Sequence, residues 1–174
     1  MTITKEVVKS AIEKANEILF ECVPYYVKKN IVDFRFGNAT GKWASVRKTY
    51  GGYSIYTSTL FEKIKDESVA EERLVGTMIH ELIHTQDGCM DHKAGFKRLA
   101  ACVNAKYPNY KIQRCNSVED VGLKFSEIEK VKYLAMCTRC SHEWSYQRRP
   151  KWWNRIDRVS CPYCKTKTIE GIEE

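Results

Sequence analysis

The chain has 174 residues, 43% of them apolar and 29% charged, with 29 basic against 22 acidic side chains for a net charge of +7. That is room and apolar material for one domain plus a small module, and it excludes disorder as the main state. No apolar run approaches the about 20 residues of a membrane span. The start, MTITKEVVKSAIEKANEI, mixes charge into positions where a signal peptide keeps an unbroken apolar core, so an intracellular protein without a membrane partner is expected.

Residues 4–22 read as an amphipathic helix. Val8, Ala11, Ala15, Ile18, Leu19 and Cys22 fall on one face, Thr4 is placed to cap it, and Pro24 stops it. Three short segments of strand character follow: Ile31–Phe36, Trp43–Thr49 and Tyr53–Ser58. Gly37-Asn38 and Gly51-Gly52 supply turns between them, which predicts an antiparallel meander or hairpin. A second helix is expected from Ser68, with Ser68 and Glu71 as a capping box, to Asp87-Gly88. A third, about Lys93–Lys106, puts Phe96, Leu99, Ala100 and Val103 on one face. Residues 109–131 read as a polar connector with a short helix from Ser117. The expected class is α+β, with a first domain over 1–115, a connector over 116–132 and a β-rich module over 133–174.

His80-Glu81-Leu82-Ile83-His84 is an HExxH motif on the second helix. At 100° per residue the two histidines lie about 40° apart on one face, so both imidazoles reach one ion. Glu81 projects about 100° round from His80, where a carboxylate can take the proton of an attacking water. The opposite face, from Leu74 round to Ile83, is apolar, which makes this a central helix. Gly76, one turn earlier, costs about 1 kcal/mol against Ala; a close approach of backbone or substrate would explain it. A catalytic zinc site needs a third ligand. His92, eight residues on, is the leading candidate, and Asp87, Cys89 and Asp91 are rivals. A closed structural site using Cys89 would leave Glu81 without a role.

The strand GYSIYTSTL, the HELIH helix and the following His92-Lys93-Ala94-Gly95-Phe96-Lys97-Arg98-Leu99-Ala100 resemble the SprT-like zinc metalloprotease family, which includes the Spartan proteases of DNA–protein crosslink repair. The family's third ligand lies in an HGxxF-type motif. Here His92 and Phe96 match it, and Lys93 stands where glycine is usual. The resemblance implies a zincin-like domain with the HExxH helix central, His80, His84 and His92 on a catalytic zinc, and Glu81 as general base. It also implies an extended substrate on a sheet edge, with Tyr53–Ser58 the expected strand. Tyr50, Tyr53 and Arg73 are unranked candidates for oxyanion stabilisation.

Four of the eight cysteines form two knuckles, Cys137-x-x-Cys140 and Cys161-x-x-Cys164. Two CxxC knuckles make a tetrahedral zinc site of four thiolates, structural and closed. A module of about 40 residues buries too little surface to fold unaided, so the metal is expected to fold it. His142 is a spare ligand. Many SprT-like members carry a C-terminal zinc ribbon of this form, so the resemblance spans roughly residues 30–170. Cys22 and Cys102 read as small core residues, and Cys115 lacks metal spacing.

The ribbon is also the basic part of the chain. Residues 137–169 carry 8 basic and 2 acidic side chains, whereas residues 1–136 carry 21 and 17. Trp144 and Tyr146 are expected in its core. Arg148, Arg149, Lys151, Trp152, Trp153 and Arg155 combine cations for phosphates with faces for bases, as single-stranded nucleic acid requires. The partners expected are therefore DNA, single-stranded or partly unpaired, and DNA-bound proteins, with the protein a monomer. The function expected is a zinc endopeptidase acting on DNA-bound or DNA-crosslinked proteins. A DNA-binding adaptor with a non-catalytic peptidase-like domain is the alternative. A Mg²⁺ nuclease would need a carboxylate cluster that the sequence lacks.

Overall fold

The structure, a computed structural model, describes residues 1–38, 42–114, 119–123, 133–146 and 148–173. The chain divides into two compact units, Met1–Leu123 and Lys124–Glu174. The division falls inside the segment read from the sequence as a connector. The expected helix from Ser117 begins outside the described residues, as does Cys115.

The first unit has three helices and one sheet. Helix α1 is Lys5–Cys22, and the Thr4 hydroxyl accepts the Val7 N–H at 3.3 Å to cap it. Its face of Val8, Ala11, Ala15, Ile18 and Leu19 is buried. Three strands follow, β1 (Ile31–Gly37), β2 (Ala44–Thr49) and β3 (Gly52–Ser58). β2 and β3 form the expected hairpin, with Thr49 opposite Gly52. Gly51 sits in its two-residue turn at φ +79°, a conformation that costs a side-chain-bearing residue about 1–2 kcal/mol.

The meander is not formed. The sheet order is β1-β3-β2, and β1 runs parallel to β3 instead of pairing with β2. This corrects the expected substrate strand as well. Tyr53–Ser58 lies in β3, the central strand, whose backbone is paired on both sides; the edges are β1 and β2.

Helix α2 is Glu67–His84. It starts one residue before Ser68, because the Asp66 carboxylate accepts the N–H groups of Ser68 and Val69 and takes the capping position. It also ends before Asp87-Gly88. Thr85 N–H and Gln86 N–H bond Leu82 and Ile83, three residues back, and tighten the last turn. Helix α3 is Ala94–Lys106, with Phe96, Leu99, Ala100 and Val103 buried. α2 packs against α1, β2 and α3 and is the unit's central element: Leu74, Val75, Met78, Ile79, Leu82 and Ile83 are all at most 1% exposed. No helix among the described residues is long and apolar enough to cross a membrane.

The second unit is a three-stranded antiparallel sheet of β4 (Tyr133–Cys137), β5 (Glu143–Tyr146) and β6 (Ile169–Glu173) in the order β5-β4-β6. Residues 153–158 form short 3-10 turns. Among the described residues its buried apolar side chains are only Ala135, Cys137, Cys161 and Ile169.

Candidate metal centres

The last turn of α2 and the loop into α3 bring three imidazoles together. The Nε2 atoms of His80, His84 and His92 are 3.1, 3.1 and 3.0 Å apart. Nitrogens bound tetrahedrally to zinc at about 2.05 Å lie about 3.3 Å apart, so the triangle fits one such ion with small adjustment. These three residues form one of two groups among the described residues that could hold a metal. The rivals of His92 are placed otherwise. Asp91 pairs with Lys93, and the buried Cys89 turns its thiol toward the Asp87 carbonyl.

Backbone groups orient the rings. His84 Nδ1 lies 2.7 Å from the Cys89 carbonyl, so it carries the proton and leaves Nε2 with a free lone pair. A hydrogen bond from the His80 ring to the Gln113 backbone carbonyl supports His80 in the same sense. Burial, and then the neighbouring His84 and His92, push His80 down to about 3, which keeps it a neutral ligand at physiological pH. Phe96 lies beneath all three rings, with centroids 4.7, 4.7 and 4.8 Å away. The aromatic residue of the HxxxF pattern is thus the floor of the triad.

Glu81 is buried, and burial pushes its carboxyl up to about 7, against a Val46 backbone hydrogen bond and the charge of Lys42. The Val46 contact locates the carboxylate. Ser58 N–H bonds Trp43 O, so in this antiparallel ladder Val46, paired with Ile55, points its N–H and C=O away from β3. Glu81 therefore reaches the free edge of β2.

Three residues that the motifs did not mark hold this arrangement. A Cβ on Gly95 would stand 2.6 Å from the Gly88 carbonyl oxygen, so only glycine lets α3 approach the loop that carries the Cys89 carbonyl. Asn104 accepts the Ile112 N–H at 2.7 Å and donates to the Ile112 carbonyl at 2.8 Å, which clamps the chain just before Gln113. A Cβ on Gly76 would stand 3.3 Å from the Tyr110 carbonyl and ring, the close approach its helix position suggested. A glycine one residue before the HxxxF phenylalanine was the available signal; the Asn104 clamp had none.

The oxyanion candidates have other engagements. The Tyr53 hydroxyl donates to Thr85 O at 3.1 Å. Arg73 lies over the Trp43 ring and 3.6 Å from Asp120. Tyr50 is fully exposed at the hairpin tip.

In the second unit the four thiols of Cys137, Cys140, Cys161 and Cys164 form the other possible metal group, with all sulfurs within 4.8 Å of one another. Cys137–Cys164 and Cys140–Cys161 are 3.5 and 3.6 Å apart, against about 3.8 Å for sulfurs on tetrahedral zinc. Hydrogen bonding, led by Thr168, holds the Cys137 thiol below the ordinary thiol range. His142 is outside the group and packs edge-on against Trp144 and tilted against Tyr163.

Trp152 and Trp153 are not on a strand, where one would have to point outward. They open the 3-10 segment and both are half-buried. Trp153 packs edge-on against Tyr133 and lies over Gly171, where a Cβ would come within 2.8 Å of its ring; Trp152 packs against Tyr146. Arg148, Arg149, Lys151 and Arg155 are exposed. No family model matches the chain, nor does any curated protein or solved structure.

Proposed function

We propose that the first unit is a zinc-dependent endopeptidase acting on proteins bound or crosslinked to DNA, and that the basic ribbon supplies the DNA contact. The observation that carries this reading is one constellation. Three Nε2 atoms lie 3.0–3.1 Å apart, beside a buried carboxylate that reaches an unpaired sheet edge.

Zinc on His80, His84 and His92 would polarise the scissile carbonyl and acidify a bound water. The substrate chain would lie along β2, where the Val46 C=O points outward as an acceptor for an extended peptide while the Val46 N–H meets Glu81. Glu81 accepts a proton as the water oxygen bonds to the carbonyl carbon. It then delivers that proton to the amine nitrogen as the carbon–nitrogen bond breaks. The four-cysteine site would hold the ribbon, and its exposed cations would follow phosphates.

A gel assay tests this. Purified zinc-loaded protein is mixed with a basic protein crosslinked to DNA and with the same protein free, beside Glu81→Gln. Cleavage that needs both Glu81 and DNA is the expected result. Cleavage indifferent to DNA would remove the ribbon's targeting role. No cleavage by either form, with metal and DNA bound, would replace the enzyme by a DNA-binding adaptor.

A further inference from the structure

A cavity of about 330 Å³ opens between α3 and the chain that returns along it. Its lining begins at His92, so it adjoins the histidine triad. Phe96, Ala100 and Ile112 are buried and give it apolar walls. Lys97 and Arg114 also line it, and both are exposed. None of the nine lining residues is acidic. Among the described residues neither cation has a carboxylate within ion-pair distance. The Asn104 amide is engaged by Ile112 at both ends, so it fixes the wall and leaves Lys97 and Arg114 as the charged groups.

We propose that this cavity receives the substrate side chain beside the scissile bond and selects an acidic residue, glutamate above aspartate. The apolar walls suit a stem of methylenes, each worth about 0.8 kcal/mol when buried. Two cations with no carboxylate partner among the described residues suit a carboxylate, and the planar Arg114 guanidinium can take both of its oxygens. A lysine or arginine side chain in the same place meets like charge on two sides, and a metal ion on His92 adds to the repulsion. Glutamate is placed above aspartate for its additional methylene, worth about 0.8 kcal/mol when buried against the apolar walls. Phosphate would satisfy the cations as well, but it leaves the walls of Phe96, Ala100 and Ile112 without an apolar partner.

The proposal rests on the endopeptidase reading, and its test separates the two. Full-length metal-loaded protein with DNA bound is given peptides that carry Glu, Gln or Lys at each position around the cleaved bond, and products are read by mass spectrometry. Glu should exceed Gln about tenfold in kcat/KM, the scale of a charge-assisted hydrogen bond. Arg114→Glu with Lys97→Glu should invert the order to favour Lys, and Arg114→Gln, which leaves Lys97, should weaken it. Both positions are exposed, and far-UV circular dichroism checks that each variant folds. The same order should appear in peptide binding to Glu81→Gln, read by fluorescence anisotropy without turnover.

Cleavage without preference overturns the pocket, as does a preference that survives the reversal. So does equal binding of the three peptides, or displacement of the Glu peptide by a short oligonucleotide. If no peptide is cleaved with DNA present, the endopeptidase reading fails, and with it the placement beside a scissile bond. A Glu preference in binding that the reversal inverts would still support the anionic pocket itself.

Discussion

Gly95→Ala perturbs the histidine site while leaving every ligand in place. The added Cβ would stand 2.6 Å from the Gly88 carbonyl oxygen and 3.3 Å from Cys89 Sγ. Real Cβ contacts essentially never fall under 3.0 Å, so the Gly88–Cys89 backbone must retreat by at least the difference, 0.4 Å. The next carbonyl, that of Cys89, holds His84 Nδ1 at 2.7 Å. If it moves with its neighbour, the bond lengthens to about 3.1 Å and loses its aim. Losing the partner that orients a metal-binding imidazole typically lowers metal affinity 10–100-fold, about 1.4–2.7 kcal/mol. Overpacking costs a further ~1–3 kcal/mol of fold stability, offset by up to about 1 kcal/mol from replacing a helical glycine.

Competition with a chromophoric chelator measures the affinity, and Co²⁺–thiolate absorption follows the cysteine site separately. The histidine site should weaken 10–100-fold, with the cysteine site unchanged. Gly51→Ala is the control. It is strained at φ +79° but has nothing within 4 Å of the added carbon, so it should lower the melting temperature and leave metal affinity alone. An affinity for Gly95→Ala within twofold of the natural protein would refute the claim that the Cys89 carbonyl sets the site.

Thr57 is fully buried in β3, and its hydroxyl has no hydrogen-bond partner among the described residues. Thr57→Val keeps the shape and removes the unpaired group, so it should stabilise the protein by about 1 kcal/mol, read as a higher midpoint in urea. Gly171→Ala puts a carbon 2.8 Å from the Trp153 ring and 2.9 Å from Ile156, and should destabilise the ribbon by about 1–3 kcal/mol. A red-shifted tryptophan emission reports it, and an unchanged spectrum would show that the ring is not held there. Stripping metal with a strong chelator should abolish the ribbon's near-ultraviolet dichroism. The helical far-ultraviolet signal of α1–α3 should persist, because the first unit has an apolar core and the second buries almost none. Loss of both signals together would mean that the ions support one cooperative fold.

The parts of this architecture that repeat along the chain were legible in its sequence. Helical periodicity puts His80 and His84 on one face, and the Phe96 face of α3 follows the same rule. The four cysteines declared themselves by knuckle spacing. Boundaries were set by competition: Asp66 displaced Ser68 from the capping position with a charged acceptor that takes two N–H groups. Sheet order was beyond the pattern, because alternation tells which face a residue lies on and not which strand lies beside it. The trace of the parallel pairing was Gly52, where a Cβ would come within 2.3 Å of the Asn30 carbonyl. Trp152 and Trp153 misled for a related reason: in a unit with so little to bury, aromatic side chains serve as packing before they serve as surface.

The three histidines lie within thirteen residues, at separations of four, eight and twelve. Closing such short loops costs little entropy, and helix formation alone brings the first two together. The groups that complete the site come from far along the chain. Val46 precedes Glu81 by 35 residues, and Gln113 follows His80 by 33. During folding, assembly of the histidine group therefore does not have to wait for the sheet, whereas burial of Glu81 does. On the proposed reading, a chain that has caught an ion early would still be inert toward its neighbours, and hydrolytic competence would arrive with the last long-range contacts.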